Sequence, residues 1–273
     1  MPVLRAVSEI EAPPRLVAGV LRDADAVAEA LGRHGHAVRT PARMIAAGDE
    51  VRFSARLWLG VRMPLRTRVR EVSTGGMVSA LVGGPLRELV HTVTLRGGGT
   101  GTTMVDELRW SGLLGAADLA VRRFGSAAQA ARADVLRARV ATLRTARVVV
   151  ATALVCDGRV LAAQRAGPGS HAGRWELPGG TVEPGESEAE AVARECWEEL
   201  GTEVVAGDRV GTDLPIDVGL LRVYAATPVA GAPRPRALEH ADLRWVGASE
   251  LGGLPWLDAD RAVLPELAAL LGG

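Results

Sequence analysis

The stretch that most constrains this chain runs from Gly180 to Thr202: Gly-Thr-Val-Glu-Pro-Gly-Glu-Ser-Glu-Ala-Glu-Ala-Val-Ala-Arg-Glu-Cys-Trp-Glu-Glu-Leu-Gly-Thr. Ser187 followed by Glu190 is a capping-box pattern, so a helix is predicted from about 188. Gly201 is the matching stop. Ala189, Ala193, Cys196 and Leu200 recur at helical spacing and are expected to form its buried stripe. Glu195, Glu198 and Glu199 fall at i, i+3 and i+4 on another face. Three carboxylates so close repel one another, and they stand late in the helix, where the macrodipole disfavours anions. Stability alone would not select this arrangement. A divalent cation relieves it, and an all-oxygen donor set suits Mg²⁺ or Mn²⁺. Arg194 is placed to pair with one of the carboxylates and hold it.

The rest of the chain divides around this feature. Its 273 residues are enough for two modest domains. Residues 1–146 carry 21 Arg against 13 acids, and residues 147–273 carry 11 Arg against 19, so +8 stands opposite −8. Such asymmetry marks a domain boundary. Every basic residue is Arg, with no Lys or Asn anywhere, which points to codon usage rather than phosphate binding. The longest apolar run, Val148 to Cys156, is about half of the ~20 residues a membrane helix needs. Glu9 and Glu11 stand where a secretory signal would be apolar. Cys156 and Cys196 are too few for a disulfide framework, so a cytoplasmic protein is expected.

In the first half, residues 3–10 read as a strand, and Pro13-Pro14 opens a helix with Leu16, Val17, Val20 and Leu21 on one face. From Glu50 the period becomes two. Val51, Phe53, Ala55, Leu57 and Leu59, then Val61, Met63, Leu65, Thr67 and Val69, alternate with mainly polar residues, as in an antiparallel hairpin with one wet face. Residues 87–95 and 102–110, around Gly97-Gly98-Gly99, predict another hairpin. Residues 127–144 predict a long helix with Leu136, Val140 and Leu143 on one stripe. The Arg62, Arg66, Arg68 and Arg70 stripe reads as a solvated sheet face, and with Trp58 the only aromatic near it, nucleic-acid binding is disfavoured. His34, His36 and His91 lack metal-spaced partners. In the second half, residues 148–155 and 159–164 predict a hairpin turned at Asp157-Gly158. The predicted domains are 1–145 and 146–273.

The segment 180–202 resembles the Nudix box, Gly-x5-Glu-x7-Arg-Glu-U-x-Glu-Glu-x-Gly-U with U aliphatic. Gly180, Glu186, Arg194, Glu195, Glu198, Glu199 and Gly201 match every fixed position, while Cys196 and Thr202 stand at aliphatic ones. Residues 174–180, Arg-Trp-Glu-Leu-Pro-Gly-Gly, are similar to the entry of that box in MutT-type Nudix hydrolases; Thr181 departs from the basic residue often found there. The resemblance covers about residues 147–271. It implies an α/β/α Nudix sandwich with a mixed sheet, and a hydrolase that cleaves a nucleoside triphosphate to monophosphate and pyrophosphate. The base, of the 8-oxo-dGTP or dCTP kind, stays open. The resemblance also implies Mg²⁺ (or Mn²⁺) on Glu195, Glu198, Glu199, Gly180 and Glu239, with Glu198 or Glu239 as the proton acceptor. Arg165 takes a phosphate contact by the same implication, and Asp258 and Asp260 contact the base.

The first half resembles the START-like helix-grip (polyketide cyclase) superfamily at the level of pattern. The residues that carry this are 11–17, 84–87, 101–108 and 113–115. The resemblance implies an α+β fold, an antiparallel sheet with a long C-terminal helix, around a cavity for a small hydrophobic ligand. Two other readings remain. In one, the chain is a nucleotide-sensing, ligand-binding module without significant turnover. In the other, the oppositely charged halves join copies into an oligomer.

Overall fold

The computed structural model describes residues 1–56, 62–98, 101–112 and 116–272. Leu57, Trp58, Leu59, Val61, Gly99 and 113–115, used in the sequence reading, lie outside these residues. The chain separates into two compact units, Met1–Thr145 and Ala146–Gly273. No helix among the described residues is long and apolar enough to cross a membrane.

The first unit runs β1 (Val3–Ile10), α1 (Pro14–Leu21), α2 (Ala24–Gly32), β2 (Ala37–Arg39), β3 (Glu50–Arg56), β4 (Arg62–Ser73), β5 (Gly76–Gly83), β6 (Glu88–Gly98), β7 (Gly101–Ser111) and α3 (Ala116–Leu143). Its sheet has the order β1-β7-β6-β5-β4-β3-β2. Every pairing in it is antiparallel. Strict alternation drives β4: Met63, Leu65, Thr67 and Val69 are buried, and Arg62, Arg66, Arg68 and Arg70 face outward. Glu50 pairs with that outer face, 2.7 Å from Arg68 and 3.9 Å from Arg66.

Four elements of this unit differ from the sequence expectation, one of them the short strand β2, which was not predicted. Helix α3 begins already at Ala116, ahead of the predicted 127, and Leu143 is only half-buried. Gly125 lets the helix approach the sheet. A Cβ there would come within 2.8 Å of Leu4 Cδ2 and 3.0 Å of Leu108 Cδ2. Helix α2 was not predicted; Asp23 caps it by accepting from Asp25 N at 2.9 Å. Strand β5 was also not predicted, because Gly75-Gly76 and Gly83-Gly84 mask a short strand.

The second unit runs β8 (Val148–Cys156), β9 (Arg159–Gln164), β10 (Trp175–Glu176), α4 (Glu188–Leu200), β11 (Val204–Ile216), β12 (Gly219–Pro228), β13 (Asp242–Val246), α5 (Asp258–Ala262) and α6 (Leu264–Leu271). Its mixed sheet has the order β10-β9-β8-β12-β11, with β13 on β9. Strands β8 and β12 are parallel. The pairs β8–β9, β11–β12, β9–β10 and β9–β13 are antiparallel. Helix α4 seats on this sheet through Ala191, Val192, Cys196 and Leu200, packed with Val150, Leu154, Leu161, Val204 and Ala226. This corrects the predicted stripe. Ala189 is exposed and Ala193 half-buried, because the helix is rotated so that Val192 leads the buried face. Cys196 is a buried small apolar side chain, and burial pushes its thiol up to about 11.

Candidate active site

The site begins with how α4 starts and stops. Ser187 Oγ accepts from Glu190 N at 3.2 Å, and Glu190 Oε2 accepts from Ser187 N at 2.7 Å, closing the capping box. At the far end Gly201 is left-handed (φ 63°) and donates to the carbonyls of Cys196 and Trp197. Both ends are therefore anchored, and the carboxylates near the C-terminus project from a rigid helix.

Arg194 organises those carboxylates. It donates to Glu186 (2.7 and 3.2 Å), Glu195 Oε1 (2.8 Å), Glu198 Oε2 (3.0 Å) and the carbonyl of Thr181 (3.0 Å). One guanidinium thus ties α4 to the loop before it. Glu195 is pressed against Gly180. A Cβ at 180 would lie 2.3 Å from Glu195 Oε1, so only glycine admits the carboxylate there. Burial raises the pKa of Glu195 even though Arg194 opposes it, with Glu198 and Glu186 adding repulsion. Glu198 is half-exposed.

Glu199 belongs to a second cluster. It accepts from Gly179 N at 2.9 Å, and burial pushes its carboxyl up to about 7 against the opposing field of His240. His240 Nε2 stands 3.5 Å from Glu176 Oε1, and Arg165 donates to Glu176 Oε2 at 2.7 Å. The loop carrying His240 is tied down by Arg236 N to Leu200 O (2.9 Å), Leu238 N to Glu199 O (3.1 Å) and Ala241 N to Gln164 O (2.8 Å). Glu239, on this loop, is exposed.

A third seam joins residues 174–177 to 255–260. Trp175 N donates to Pro255 O (3.0 Å), and Leu257 N to Trp175 O (2.8 Å). Arg174 donates to the Trp256 carbonyl and reaches Asp258 Oδ1 at 3.4 Å. Asp258, the first residue of α5, is exposed on its side chain, whereas Asp260 is buried and accepts from Leu177 N at 3.0 Å. Burial pushes Asp260 up to about 7.

The predicted site residues other than Glu239 therefore fall in three groups: Arg194 with Glu195, Glu198 and Gly180; Glu199 with Arg165 through His240 and Glu176; and Asp258 with Asp260. Sequence reading passed over His240 and Glu176. The signal for both was position: His240 follows Glu239 directly, and Glu176 lies inside the Trp-Glu-Leu-Pro-Gly-Gly run.

As placed, no three His, Cys, Asp or Glu side chains among the described residues form a metal site. The donor chemistry still fits a hard divalent cation. Arg194 engages one oxygen each of Glu195 and Glu198, and Gly179 engages one of Glu199. The second oxygen of each carries no hydrogen bond among the described residues. Burial is the main cause that raises both Glu195 and Glu199, against the opposing fields of Arg194 and His240.

Comparison with known proteins agrees with this geometry. Residues 144–267 match the NUDIX domain model. The protein of Mycobacterium tuberculosis named "Putative 8-oxo-dGTP diphosphatase 2" is 47% identical over 131 residues, covering 46% of this chain and 92% of that protein. The chain belongs to the NUDIX family. It is a NUDIX hydrolase, and its NUDIX unit is the second of the two. The CTP pyrophosphohydrolase of Escherichia coli is 35% identical over 123 residues, covering 45% of this chain and 91% of that enzyme. Among solved structures, the E. coli ORF135 protein matches with a TM-score of 0.40 and 35% identity, over 45% of this chain and 89% of that chain.

Proposed function

We propose that the NUDIX unit hydrolyses a nucleoside triphosphate to the monophosphate and pyrophosphate, with an oxidised-guanine or cytosine nucleotide as substrate. The carboxylate face of α4, gathered by Arg194 against Gly180, is the observation that carries this reading. The names of the mycobacterial and E. coli relatives support the two base classes.

NUDIX hydrolases generally use divalent metals. In this reading Glu195, Glu198, Glu199, Gly180 and Glu239 would hold one or more Mg²⁺ ions. When bound, the metal neutralises phosphate oxygens and acidifies the attacking water. Arg194 keeps Glu195 and Glu198 oriented, and Gly179 orients Glu199. Glu198, half-exposed, or Glu239, exposed, accepts the proton of the attacking water. Arg165 offers its remaining N–H groups to a phosphate while Glu176 fixes its direction. Asp258 and Asp260 contact the base. Asp258 accepts; Asp260, protonated up to about pH 7, can also donate. The two compact units are read as a START-like domain over 1–145 and a NUDIX domain over 146–273. The seven-stranded antiparallel sheet followed by the 28-residue α3 supports the first assignment.

A turnover panel with Mg²⁺ tests the reaction. It uses the full chain on 8-oxo-dGTP, dCTP, CTP, the ordinary triphosphates and ADP-ribose, with both products detected. Monophosphate plus pyrophosphate from one triphosphate is expected. Release of orthophosphate, or no turnover of any triphosphate, overturns the reading.

A further inference from the structure

The seven-stranded sheet of the first unit ends in two edges of different kinds. Strand β2 has three residues, a short edge that offers little to another chain. Strand β1 has eight, Val3–Ile10, and pairs with β7 on one side. A long strand with an open side is a template for a further strand, and proteins often blunt such an edge with a bulge, a proline or charge. The register of β1 on β7 is unbroken, so β1 has no bulge, and its sequence Val-Leu-Arg-Ala-Val-Ser-Glu-Ile has no proline. Its two charges, Arg5 and Glu9, are of opposite sign, so they disfavour some pairings and favour another.

The ladder shows which groups face the open side. Trp110 N donates to Pro2 O at 3.4 Å, and the same register continues through Leu4 opposite Leu108 and Ala6 opposite Asp106. The even-numbered residues of β1 therefore turn their main-chain groups towards β7, and Val3, Arg5, Val7 and Glu9 turn theirs away. The Glu9 carbonyl accepts from Arg137 Nε at 3.1 Å. The main-chain groups of Val3, Arg5 and Val7 carry no hydrogen bond among the described residues. The side chains of the same four residues stand on the outer face of the sheet. Val3 is 45% exposed and Val7 54%, and Arg5 and Glu9 are exposed.

The charges select the occupant. Arg5 and Glu9 lie about 13 Å apart along the strand, too far to pair with each other. Neither has an ion-pair partner among the described residues, and Glu9 accepts from Thr103 Oγ1 at 3.0 Å. For the open groups to bond, an antiparallel partner must set odd residues opposite odd residues. Between two copies of β1, Arg5 opposite Arg5 brings like charges together, which is unfavourable. Arg5 opposite Val7 leaves both charges without a facing partner. Arg5 opposite Glu9 gives an opposite-charge pair on each side of the axis and sets Val7 against Val7. In that register Arg5 and Glu9 exchange both main-chain bonds, and so do the two Val7 residues. A carbonyl oxygen has two lone pairs, so Glu9 can keep Arg137 while accepting from Arg5.

We infer that the open edge of β1 is an interface between two copies of this chain, paired antiparallel about a two-fold axis with Arg5 facing Glu9 and Val7 facing Val7. The occupant is a second copy because the edge carries both halves of its own charge pattern, as an isologous contact requires. The main chain supplies the attraction and the two charges supply the register. The surface lies in the first unit, and its failure leaves the proposed hydrolysis untouched.

Sedimentation of the full chain at rising concentration, from about 1 to about 100 µM, tests it. A shift from the 28.5 kDa chain to twice that mass is expected. Arg5→Glu sets glutamates against each other and should weaken association at least about tenfold. Combining Arg5→Glu with Glu9→Arg restores the opposite-charge pairs and should restore association. Val7→Pro removes an N–H on the open side, where an edge strand tolerates proline, and should abolish association. A chain that stays at 28.5 kDa throughout overturns the inference. So does undiminished association of Arg5→Glu, or a double variant that stays apart. If a variant fails to fold, hydrogen exchange of the unmodified protein decides. The amides of Arg5, Val7 and Glu9 should gain protection as concentration rises, and unchanged exchange overturns the inference.

Discussion

Asp106 in the first unit and Asp260 in the second are both buried carboxyls on regular elements, yet they shift in opposite directions. Asp106 is met by a guanidinium, an imidazole and an amide, and is held below its ordinary range. Burial pushes Asp260 up to about 7 with Glu176 adding repulsion, against the backbone N–H groups of Leu177 and of Asp260 itself and the field of Arg165. Burial costs each of them; the partner decides the sign. Glu199 behaves like Asp260: burial raises it to about 7 although His240 and the hydrogen bond from Gly179 N oppose the shift. The first unit thus completes its buried charge internally. The NUDIX unit does the same at buried Asp213, which meets Arg209 and Arg222, but not at Glu199 and Asp260, where burial outweighs the groups that oppose it.

The sharpest break of this contrast is Asp106→Ala. It strands Arg132 and Gln129, so the first unit should lose about 3–5 kcal/mol in urea unfolding. A loss below 1 kcal/mol would show that the cluster is not a closed charge set. Next, Glu198→Gln removes a carboxylate from the α4 face and should lower kcat at least about 10²-fold. Circular dichroism should be unchanged, since Glu198 is half-exposed. Retained turnover would exclude Glu198 from the reaction.

Asp260→Asn probes the opposite shift. The native carboxyl holds its proton up to about 7, whereas the unfolded value is 3.8. The stability linked to this proton is complete below about pH 4 and lost as pH rises through 7. The asparagine variant keeps an acceptor for Leu177 N and should flatten that fall. At pH 8 it should gain on the order of 2 kcal/mol over the parent, read from denaturation midpoints at pH 5 and 8. An unchanged slope would contradict the burial assigned to Asp260. Asp106 has the reverse sign: its contribution is present above about pH 4 and lost as pH falls through its lowered pKa. The smallest effect is expected from Ser187→Ala, about 1 kcal/mol on the NUDIX unit through the lost cap.

Much of α4 was legible because its signals are local. Ser187, Glu190 and Gly201 define its ends through contacts within a few residues. Its rotation was less legible. Several apolar residues fit a helical stripe, and only packing on β8, β9 and β12 selects Val192 over Ala189. His240 was missed because its partners Glu176 and Glu199 lie far away in sequence. Asp106 and His91 did leave a trace. Each interrupts the apolar phase of an alternating strand, Met104-x-Asp106-x-Leu108 and Leu89-x-His91-x-Val93. Alternation shows that a polar residue faces inward, but not what meets it there.

The amino-acid order alone determined the capped acidic helix, the alternating strands, the charge division between the halves and the family resemblance. Each of these rests on short-range periodicity or on residue types at fixed spacing. Tertiary structure alone decided which groups face each buried carboxyl: Arg132 and His91 at Asp106, Leu177 N at Asp260, Gly179 N at Glu199. The reason is physical. A charge in a low-dielectric interior is governed by neighbours within a few ångströms, and strand register and helix packing bring those neighbours from distant parts of the chain.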